Sequence, residues 1–224
     1  EMQRSLVGSE MCIRDRAYIK EKARQLPIVE CYIGTKWDYM GEKTVIVTRQ
    51  HPQGHFTMGV YLVDIYCKGL LHSEYFFNMN HDDYEMMVKR IDMDEDLKKA
   101  AYADAHKLVY GAIDFAEAVG IDSEDSFDIT KYILDEKKEE IPFAEFGRNG
   151  KHYLRADTDE EAELYIPIIM EAIGTDFTYS IEGVTDGEVD AAEVPFGDFD
   201  FSELNYDEEE FDKMFEKLNR ESQD

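Results

Sequence analysis

The stretch that decides the fold of this chain is Val60-Tyr61-Leu62-Val63-Asp64-Ile65-Tyr66-Cys67. It is the longest apolar, β-rich run in the sequence, and large side chains fall on both of its alternating faces. A strand with two apolar faces is typical of one that is covered on both sides of a sheet. The pattern therefore predicts a central buried strand with one carboxylate, Asp64, inside it.

Three other stretches have the composition of strands, because they alternate or are rich in β-branched and aromatic side chains. They are residues 28–33, residues 44–49 and residues 74–77. The central strand is expected to begin at Phe56 and to carry a bulge at Gly59. One connection, residues 51–55, has Pro and Gly at turn spacing. Together these stretches predict an antiparallel meander of three or four strands.

The residues after the meander predict two helices. The first begins at a cap formed by Asn80 or Asp82 and runs to Ile91. The second, longer helix covers residues 95–119, has a wide apolar face and ends at Gly120. We expect this long helix to be central and to pack on the sheet, so the predicted class is α+β.

A smaller unit is predicted from about residue 141. Asn149-Gly150 is a strong hairpin signal between two short strands. Asp157 and Glu160 have the spacing of a helix cap, and we expect the helix that they begin to kink or break at Pro167. An alternating stretch at residues 177–181 closes this unit of β-hairpin, helix and strand.

The composition changes near residue 186. From there to the end, the chain has 15 acidic and three basic residues, interrupted by aromatic side chains. If residues 208–218 are helical, four apolar side chains form one stripe that suits a partner-binding segment: Phe211, Met214, Phe215 and Leu218. Disorder or loose docking on the rest of the chain is the alternative.

These patterns divide the chain into four segments. Residues 1–16 are expected to be artefactual or disordered, and residues 17–140 to form the main α+β domain. Residues 141–185 are expected to form the small β-α-β unit, packed on that domain or extending it. Residues 186–224 are the acidic-aromatic tail.

The net charge limits the choice of partner. The 224 residues include 51 acids and 24 Lys or Arg, so the formal net charge is −27. Such a surface repels nucleic-acid phosphates and anionic membranes, and it suits a basic protein partner or simply high solubility. An acidic mimic of nucleic acid is a further alternative. The sequence leaves the oligomeric state open.

Cysteine usage and hydropathy predict a compartment. Cys12, Cys31 and Cys67 show no paired spacing, which favours a reducing environment over a secreted disulfide scaffold. No run of about 18 apolar residues and no secretory signal occurs. Phosphate-binding glycine loops are also absent from the sequence. We therefore expect a soluble cytoplasmic protein without a cofactor.

Two carboxylates are the first candidates for chemistry. Glu30 and Asp64 each lie in a predicted core strand, where an unpaired charge is costly. Arg49 ends the intervening strand and is placed to pair with either. A structural ion pair is one reading of this group, and a metal-binding or acid–base cluster is the other.

Three residues are weaker candidates for a metal site: His51, His55 and Cys67. The two histidines are four residues apart but lie on a predicted turn, so the helical ligand geometry does not apply. The thiols of Cys31 and Cys67 sit in apolar runs where they are expected to stay protonated, which disfavours a cysteine nucleophile.

Two resemblances bear on the origin of the chain. Residues 5–16 resemble a translated sequencing-adapter artefact of metagenomic gene predictions, which implies an uncultured microbial source and a missing true N-terminus. Two stretches, Pro27-Ile28-Val29-Glu30-Cys31-Tyr32-Ile33 and Gly59 to Cys67, look like those of a group of uncharacterised bacterial proteins. Similar likeness covers most of residues 26–181. Since that group has no assigned activity, the resemblance implies no catalytic residue and no ligand.

Two hypotheses about function follow. The first is a non-catalytic interaction or regulatory protein with an acidic, partner-binding tail. The alternative is a metal-dependent, nuclease-like hydrolase that uses Glu30 and Asp64. The distance between the two carboxylates distinguishes them, because a two-carboxylate metal site requires both groups within about 8 Å.

Overall fold

A computed structural model of the chain describes residues 13–137, 141, 146–181 and 189–190. All of these residues belong to one compact unit, Glu1–Ala191. Three predicted features lie wholly or largely outside the described residues: residues 1–12 of the N-terminal segment, the first strand of the Asn149-Gly150 hairpin, and the tail with its stripe from Phe211 to Leu218.

The described chain begins with helix α1, residues 13–22, followed by a 3₁₀ turn, Ala23–Gln25. Ile19 and Ala23 are buried in the main core. The prediction that residues 1–16 belong to no fold is therefore wrong for residues 13–16, which are the first part of this anchored helix. Pro27 follows the 3₁₀ turn and ends the helical segment as expected.

Five antiparallel strands form the main sheet, in the order β4-β3-β2-β1-β5. Their bounds are β1 Ile28–Gly34, β2 Glu42–Gln50, β3 Phe56–Asp64, β4 Gly69–Met79 and β5 Leu97–Lys99. The predicted meander is thus confirmed as β1 to β4, which are paired in chain order. The fifth strand, β5, pairs with the free side of β1 and was not predicted.

Strand β3 is covered on both faces, as its pattern predicts. Tyr61 and Val63 point into the main core, whereas Phe56 and Met58 pack in a second core on the other face. The strand ends at Asp64 and not at Cys67, because the Asp64 carboxylate accepts the backbone N–H groups of the turn that follows. The expected bulge at Gly59 is also absent from the register with both neighbouring strands.

Glycine is required at position 59 for a different reason. A Cβ atom there would lie 2.5 Å from the hydroxyl oxygen of Tyr61, which occupies that space on the same face of the strand. The Tyr61 hydroxyl in turn donates to the carbonyl of Thr130, 2.8 Å away. Gly59 therefore makes room for the side chain that joins β3 to a short helix, α4, at Phe127–Thr130.

The helices after the meander differ in part from the prediction. Helix α2, His81–Glu95, begins at the predicted cap, where the Asn80 side chain accepts from the N–H of Asp83. The single helix over residues 95–119 is wrong, because the chain turns at Asp96 with a positive φ of 49° and forms β5. Helix α3, Tyr102–Glu117, then packs against β1, β2 and β4.

The break between α2 and α3 has a tertiary cause. The N–H of Ala100 donates to the carbonyl of Cys31, and Lys99 lies opposite Tyr32, so the segment pairs with the edge of the sheet. Leu97 packs in the core on the α2 side of the sheet and not under α3. Pairing with β1 replaces the helical hydrogen bonds that the local pattern favours.

The smaller unit contains β6 Tyr153–Ala156, α5 Asp159–Ile173, β7 Thr178–Ile181 and β8 Val189–Asp190. Strands β6 and β7 are parallel, and β7 and β8 are antiparallel. Its core includes Leu154 and Ile169 together with Cys67 and Ala116 of the preceding elements. The hairpin turn is confirmed at an antiparallel bridge between Arg148 and Lys151.

The structure of helix α5 differs from the prediction in two details. Its cap is Thr158, whose hydroxyl accepts from the N–H of Glu161 at 3.1 Å, one residue later than the predicted Asp157 and Glu160 pair. The helix also runs through Pro167 to Ile173 without the expected break. A short helix, α4, follows α3 at Phe127–Thr130.

In the described part of the chain, each helix is too short or too polar to cross a bilayer.

Candidate functional site

Glu30 and Asp64 are not brought together. Glu30 lies opposite Thr48 on β2, whereas Asp64 lies opposite Glu42 on the other side of the same strand. Thr48 and Glu42 are six residues apart, which corresponds to roughly 20 Å along a strand. The two carboxylates therefore do not form one metal-binding or acid–base site.

Glu30 is held by three side chains on the α2 face of the sheet. Its Oε2 accepts from the hydroxyls of Tyr84 at 2.8 Å and Tyr32 at 3.1 Å, and its Oε1 pairs with the ammonium of Lys99 at 3.0 Å. Burial alone would raise the pKa of Glu30, but these hydrogen bonds hold it below its ordinary value. The ionised group joins β1 to α2 and β5.

Asp64 closes the turn between β3 and β4. Its two oxygens accept from the backbone N–H groups of Tyr66 at 2.7 Å and Lys68 at 2.9 Å. Burial nevertheless raises the pKa of this carboxyl to about 6, against the effect of those hydrogen bonds. The Lys68 ammonium points instead to Glu161 of α5, 2.8 Å away. Asp64 is buried and shapes this turn.

Arg49 pairs with a residue that the sequence did not suggest. Its Nη2 lies 2.7 Å from Asp135, and its other donors reach the carbonyls of Ile133 and Leu26, both at 2.6 Å. The expectation that Arg49 pairs with Glu30 or Asp64 is therefore wrong. The guanidinium is buried between β2, the 3₁₀ turn and the segment after α4, where it fastens three parts of the chain.

The weaker metal candidates also lie apart. The ring of His51 shares a hydrogen bond with the hydroxyl of Thr57 at 2.8 Å, whereas His55 contacts Asn78 at 3.1 Å. Cys67 is buried in the core of the smaller unit. Over the residues that the structure describes, no three His, Cys, Asp or Glu side chains are grouped so that they could hold a metal ion.

The two described cysteines are free and buried. Burial raises the pKa of Cys31 to about 11 and raises the pKa of Cys67 further above its ordinary range. Both thiols therefore stay protonated at neutral pH, as the sequence predicts, and neither is an activated nucleophile.

A polar cleft with a volume of about 700 Å³ lies along the outer side of β4. One wall is residues 72–75 of β4, and the other includes most of residues 125–130, that is α4 and the turn before it. Arg16 and Lys20 of α1 also line it. We call this feature the β4–α4 cleft.

Hydroxyl groups connect the two walls of the β4–α4 cleft. The Ser73 hydroxyl lies 2.7 Å from that of Thr130 and 2.8 Å from that of Ser126. The Ser126 hydroxyl donates to the carboxylate of Glu124, which lies 3.2 Å from Nδ1 of His72. The backbone N–H of Ser73 also donates to the Ser126 oxygen at 3.1 Å.

Some carboxylates at the rim of this cleft form ion pairs, and others do not. Asp128 is paired with Lys131, and Glu124 lies against His72. The exposed carboxylates of Glu74 and Asp125 form no ion pair with any residue that the structure describes. The cleft therefore presents two negative groups beside two cations of α1, Arg16 and Lys20, which line the same cleft.

The hydrogen-bonded hydroxyl groups of Ser73, Ser126 and Thr130 are better placed to stabilise the packing of α4 on β4 than to catalyse a reaction. A serine that donates to a carboxylate has the geometry of a nucleophile with its base. The Ser126 oxygen, however, also accepts the N–H of Ser73, and Ser73 and Thr130 are buried beneath it. With these partners the hydroxyls fix α4 against β4, and they leave a rigid, polar wall.

Sequence reasoning missed Ser73, Ser126 and Thr130 as a group. Ser73 is 53 positions from Ser126 and 57 from Thr130, so no local spacing connects the strand with the helix. The feature of the sequence that could have indicated this group is Ser73, a serine within a largely apolar and aromatic strand. Comparison of the chain with protein-family models, curated proteins and solved structures finds no match.

Proposed function

We propose that this chain is a non-catalytic, cytoplasmic interaction protein that binds a segment of a basic partner protein in the β4–α4 cleft. One observation carries the proposal. The polar groups of the cleft are bonded to one another in a rigid wall, while Glu74 and Asp125 are left at the rim for a partner.

Other features support binding over catalysis. Each carboxylate predicted for chemistry holds a structural contact: Glu30 accepts from two tyrosines, and Asp64 closes a turn. The net charge of −27 favours association with a basic protein and accelerates encounter with it. Free, buried Cys31 and Cys67 suit a reducing compartment.

Capture from a bacterial lysate tests the proposed function. Three full-length variants are compared with the wild type: Glu74→Lys and Asp125→Lys in the cleft, and Asp94→Lys on α2 as a control matched in charge. We expect one protein to be captured by the wild type and by Asp94→Lys but lost in both cleft variants. Equal capture by all four proteins would contradict the proposal.

The acidic tail beyond residue 186 is a second predicted contact with a partner. A chain that ends at Ala191 keeps strand β8 and should stay folded, which circular dichroism measures. If this chain loses a partner that both cleft variants retain, the partner binds the tail, through the stripe from Phe211 to Leu218. If the truncated chain still captures the partner and the cleft variants do not, the partner binds in the cleft.

A further inference from the structure

The hairpin turn at residues 148–151 contains the one Asn-Gly pair of the sequence. Arg148 and Lys151 exchange two backbone hydrogen bonds across the turn, at 2.8 and 3.1 Å. The two central residues have positive φ angles, 55° for Asn149 and 81° for Gly150. Positive φ at both positions is typical of a type I′ turn, which favours this pair because both residues adopt left-handed conformations at low cost. The shape of the turn therefore explains the pair.

The same pair places an electrophile next to a nucleophile. The side-chain amide carbon of Asn149, Cγ, and the backbone nitrogen of Gly150 can join to close a five-membered ring. In place of glycine, any other residue would carry a side chain beside the attacking nitrogen and hinder it. A Cβ atom built at Gly150 meets no atom within 4 Å, so this side of the turn is open to water. Such intramolecular attack is fast because the reacting groups are already held together.

Neither reacting group is held in another contact. Asn149 and Gly150 are both exposed. Within the part of the chain that the structure describes, the Asn149 side chain and the Gly150 N–H form no hydrogen bond. The N–H is therefore free to lose its proton to a base in the solvent, and the side-chain amide is free to turn toward the nitrogen.

The two other asparagines that the structure describes are restrained. Oδ1 of Asn78 lies 3.1 Å from Nδ1 of His55. Asn80 caps α2, and its side chain accepts from the N–H of Asp83 at 2.9 Å and donates to the Asp83 carboxylate at 2.7 Å. Each of the two asparagines is also followed by a residue with a large side chain. They are therefore internal controls for the reactivity of the turn.

From these observations we propose that Asn149 is a site of spontaneous modification in the folded chain, through attack of the Gly150 backbone nitrogen on the Asn149 side-chain amide. The nitrogen loses its proton and bonds to Cγ, and the bond from Cγ to Nδ2 breaks. Nδ2 takes up a proton in exchange and leaves as ammonia. Water then opens the cyclic imide at one of its two carbonyls, which gives either aspartate or isoaspartate.

The two products differ in their effect on the turn. Aspartate keeps the length of the backbone and tolerates a positive φ, so the hydrogen bonds between Arg148 and Lys151 remain. Isoaspartate adds a carbon atom to the main chain, so Arg148 and Lys151 can no longer exchange both hydrogen bonds. Each product also adds a negative charge to the turn. The modification therefore converts one defined turn into a mixture of local structures as the protein ages.

Peptide mapping by mass spectrometry, after incubation of the full chain at mildly alkaline pH, tests the proposal. The same chain unfolded in guanidinium chloride provides the reference rate. We expect Asn149 to react in the folded chain no more than about tenfold slower than in the unfolded chain. In the folded chain, Asn78 and Asn80 should react at least about tenfold slower than Asn149. Mapping is needed because Asp186-Gly187 also yields isoaspartate.

Two variants distinguish ring closure from direct hydrolysis of the amide by water. Gly150→Ala places a methyl group beside the attacking nitrogen, and Asn149→Gln lengthens the side chain so that closure requires a larger ring. Each variant should lower the rate of ammonia loss at position 149 at least about tenfold. Direct hydrolysis predicts equal rates in the wild type and both variants, with aspartate as the sole product. Thermal unfolding shows whether each variant is folded.

Three results would overturn the proposal. One is a rate at Asn149 more than about tenfold slower in the folded than in the unfolded chain, because the turn would then hold the reacting groups apart. Another is reaction of Asn78 or Asn80 as fast as that of Asn149. The third is a product without isoaspartate. None of these results affects the proposed function, which is tested at Glu74 and Asp125.

Discussion

Replacing Arg49 with methionine tests what holds three parts of this chain together. The guanidinium is 2% exposed and donates to the carbonyls of Ile133 and Leu26 and to the carboxylate of Asp135. Methionine fills much of the same volume without any donor. The variant Arg49→Met therefore leaves the two carbonyls without their donor and separates the segments that the side chain joins.

The expected loss is worked from these contacts. Hydrogen bonds to a charged group each contribute about 1.5–3 kcal/mol, and removal of one partner from a buried ionic contact costs about 3–5 kcal/mol. We expect a loss of about 3–5 kcal/mol for Arg49→Met. The substitution also removes the desolvation cost of the buried guanidinium, which offsets part of the lost hydrogen-bond energy. For a chain of this size, the melting temperature should fall by roughly 6–20 °C.

Equilibrium unfolding in urea measures the loss, with two comparisons. Asp135→Asn should cost only about 1 kcal/mol, because the Asp135 side chain is 49% exposed and water screens the pair. Lys98→Met removes an exposed lysine and should cost less than about 1 kcal/mol. A loss below about 1 kcal/mol for Arg49→Met, or equal losses for Arg49→Met and Lys98→Met, would refute this account of the core.

Three further predictions concern other parts of the chain. Because burial raises the pKa of Asp64 to about 6 in the folded chain, the folded state binds the proton more tightly and stability from this group falls by about 2 kcal/mol as pH rises from about 4 to about 6; Asp64→Asn should remove that part of the difference in urea unfolding between pH 4 and pH 7. Deleting residues 1–12 should leave the melting temperature unchanged, whereas deletion through Ile19, which is buried in the core, should lower stability by at least about 2 kcal/mol, and a stable longer deletion would show that α1 is dispensable. Cys31 and Cys67 should resist a thiol reagent at pH 8 until denaturant is added, because burial raises the pKa of both thiols, and rapid labelling of either of these two residues in the folded chain, located by peptide mapping, would contradict this.

The local pattern of the sequence determined most of the main sheet. Alternation and β-branched residues located β1 to β4, and short connections implied their antiparallel order, because neighbouring strands with short turns must pair. The apolar run around Tyr61 implied a strand covered on both faces, which the two cores confirm. The cap at Asn80 followed from a side chain that bonds only three residues away.

Tertiary structure decided the elements whose local pattern was ambiguous. Residues 97–99 have a helical pattern, yet they pair with β1, since the edge of the sheet offered hydrogen bonds that no local signal reports. Asp64 ended β3 early because its carboxylate found two N–H groups in the turn. For residues 97–99, a contact with a distant strand outweighed helix propensity, whereas Asp64 ended β3 through N–H groups only two and four residues away.

The site was the part that the sequence alone could not determine. The sequence drew attention to Glu30, Asp64 and Arg49 because charges in apolar strands are costly. It could not identify their partners, which lie up to 86 residues away. Ser73 and Ser126 carry no motif, and they meet only because α4 packs on the edge of β4. Residue types and their periodicity are local properties, whereas a cleft is formed by contacts between distant segments, and only the folded chain brings those segments together.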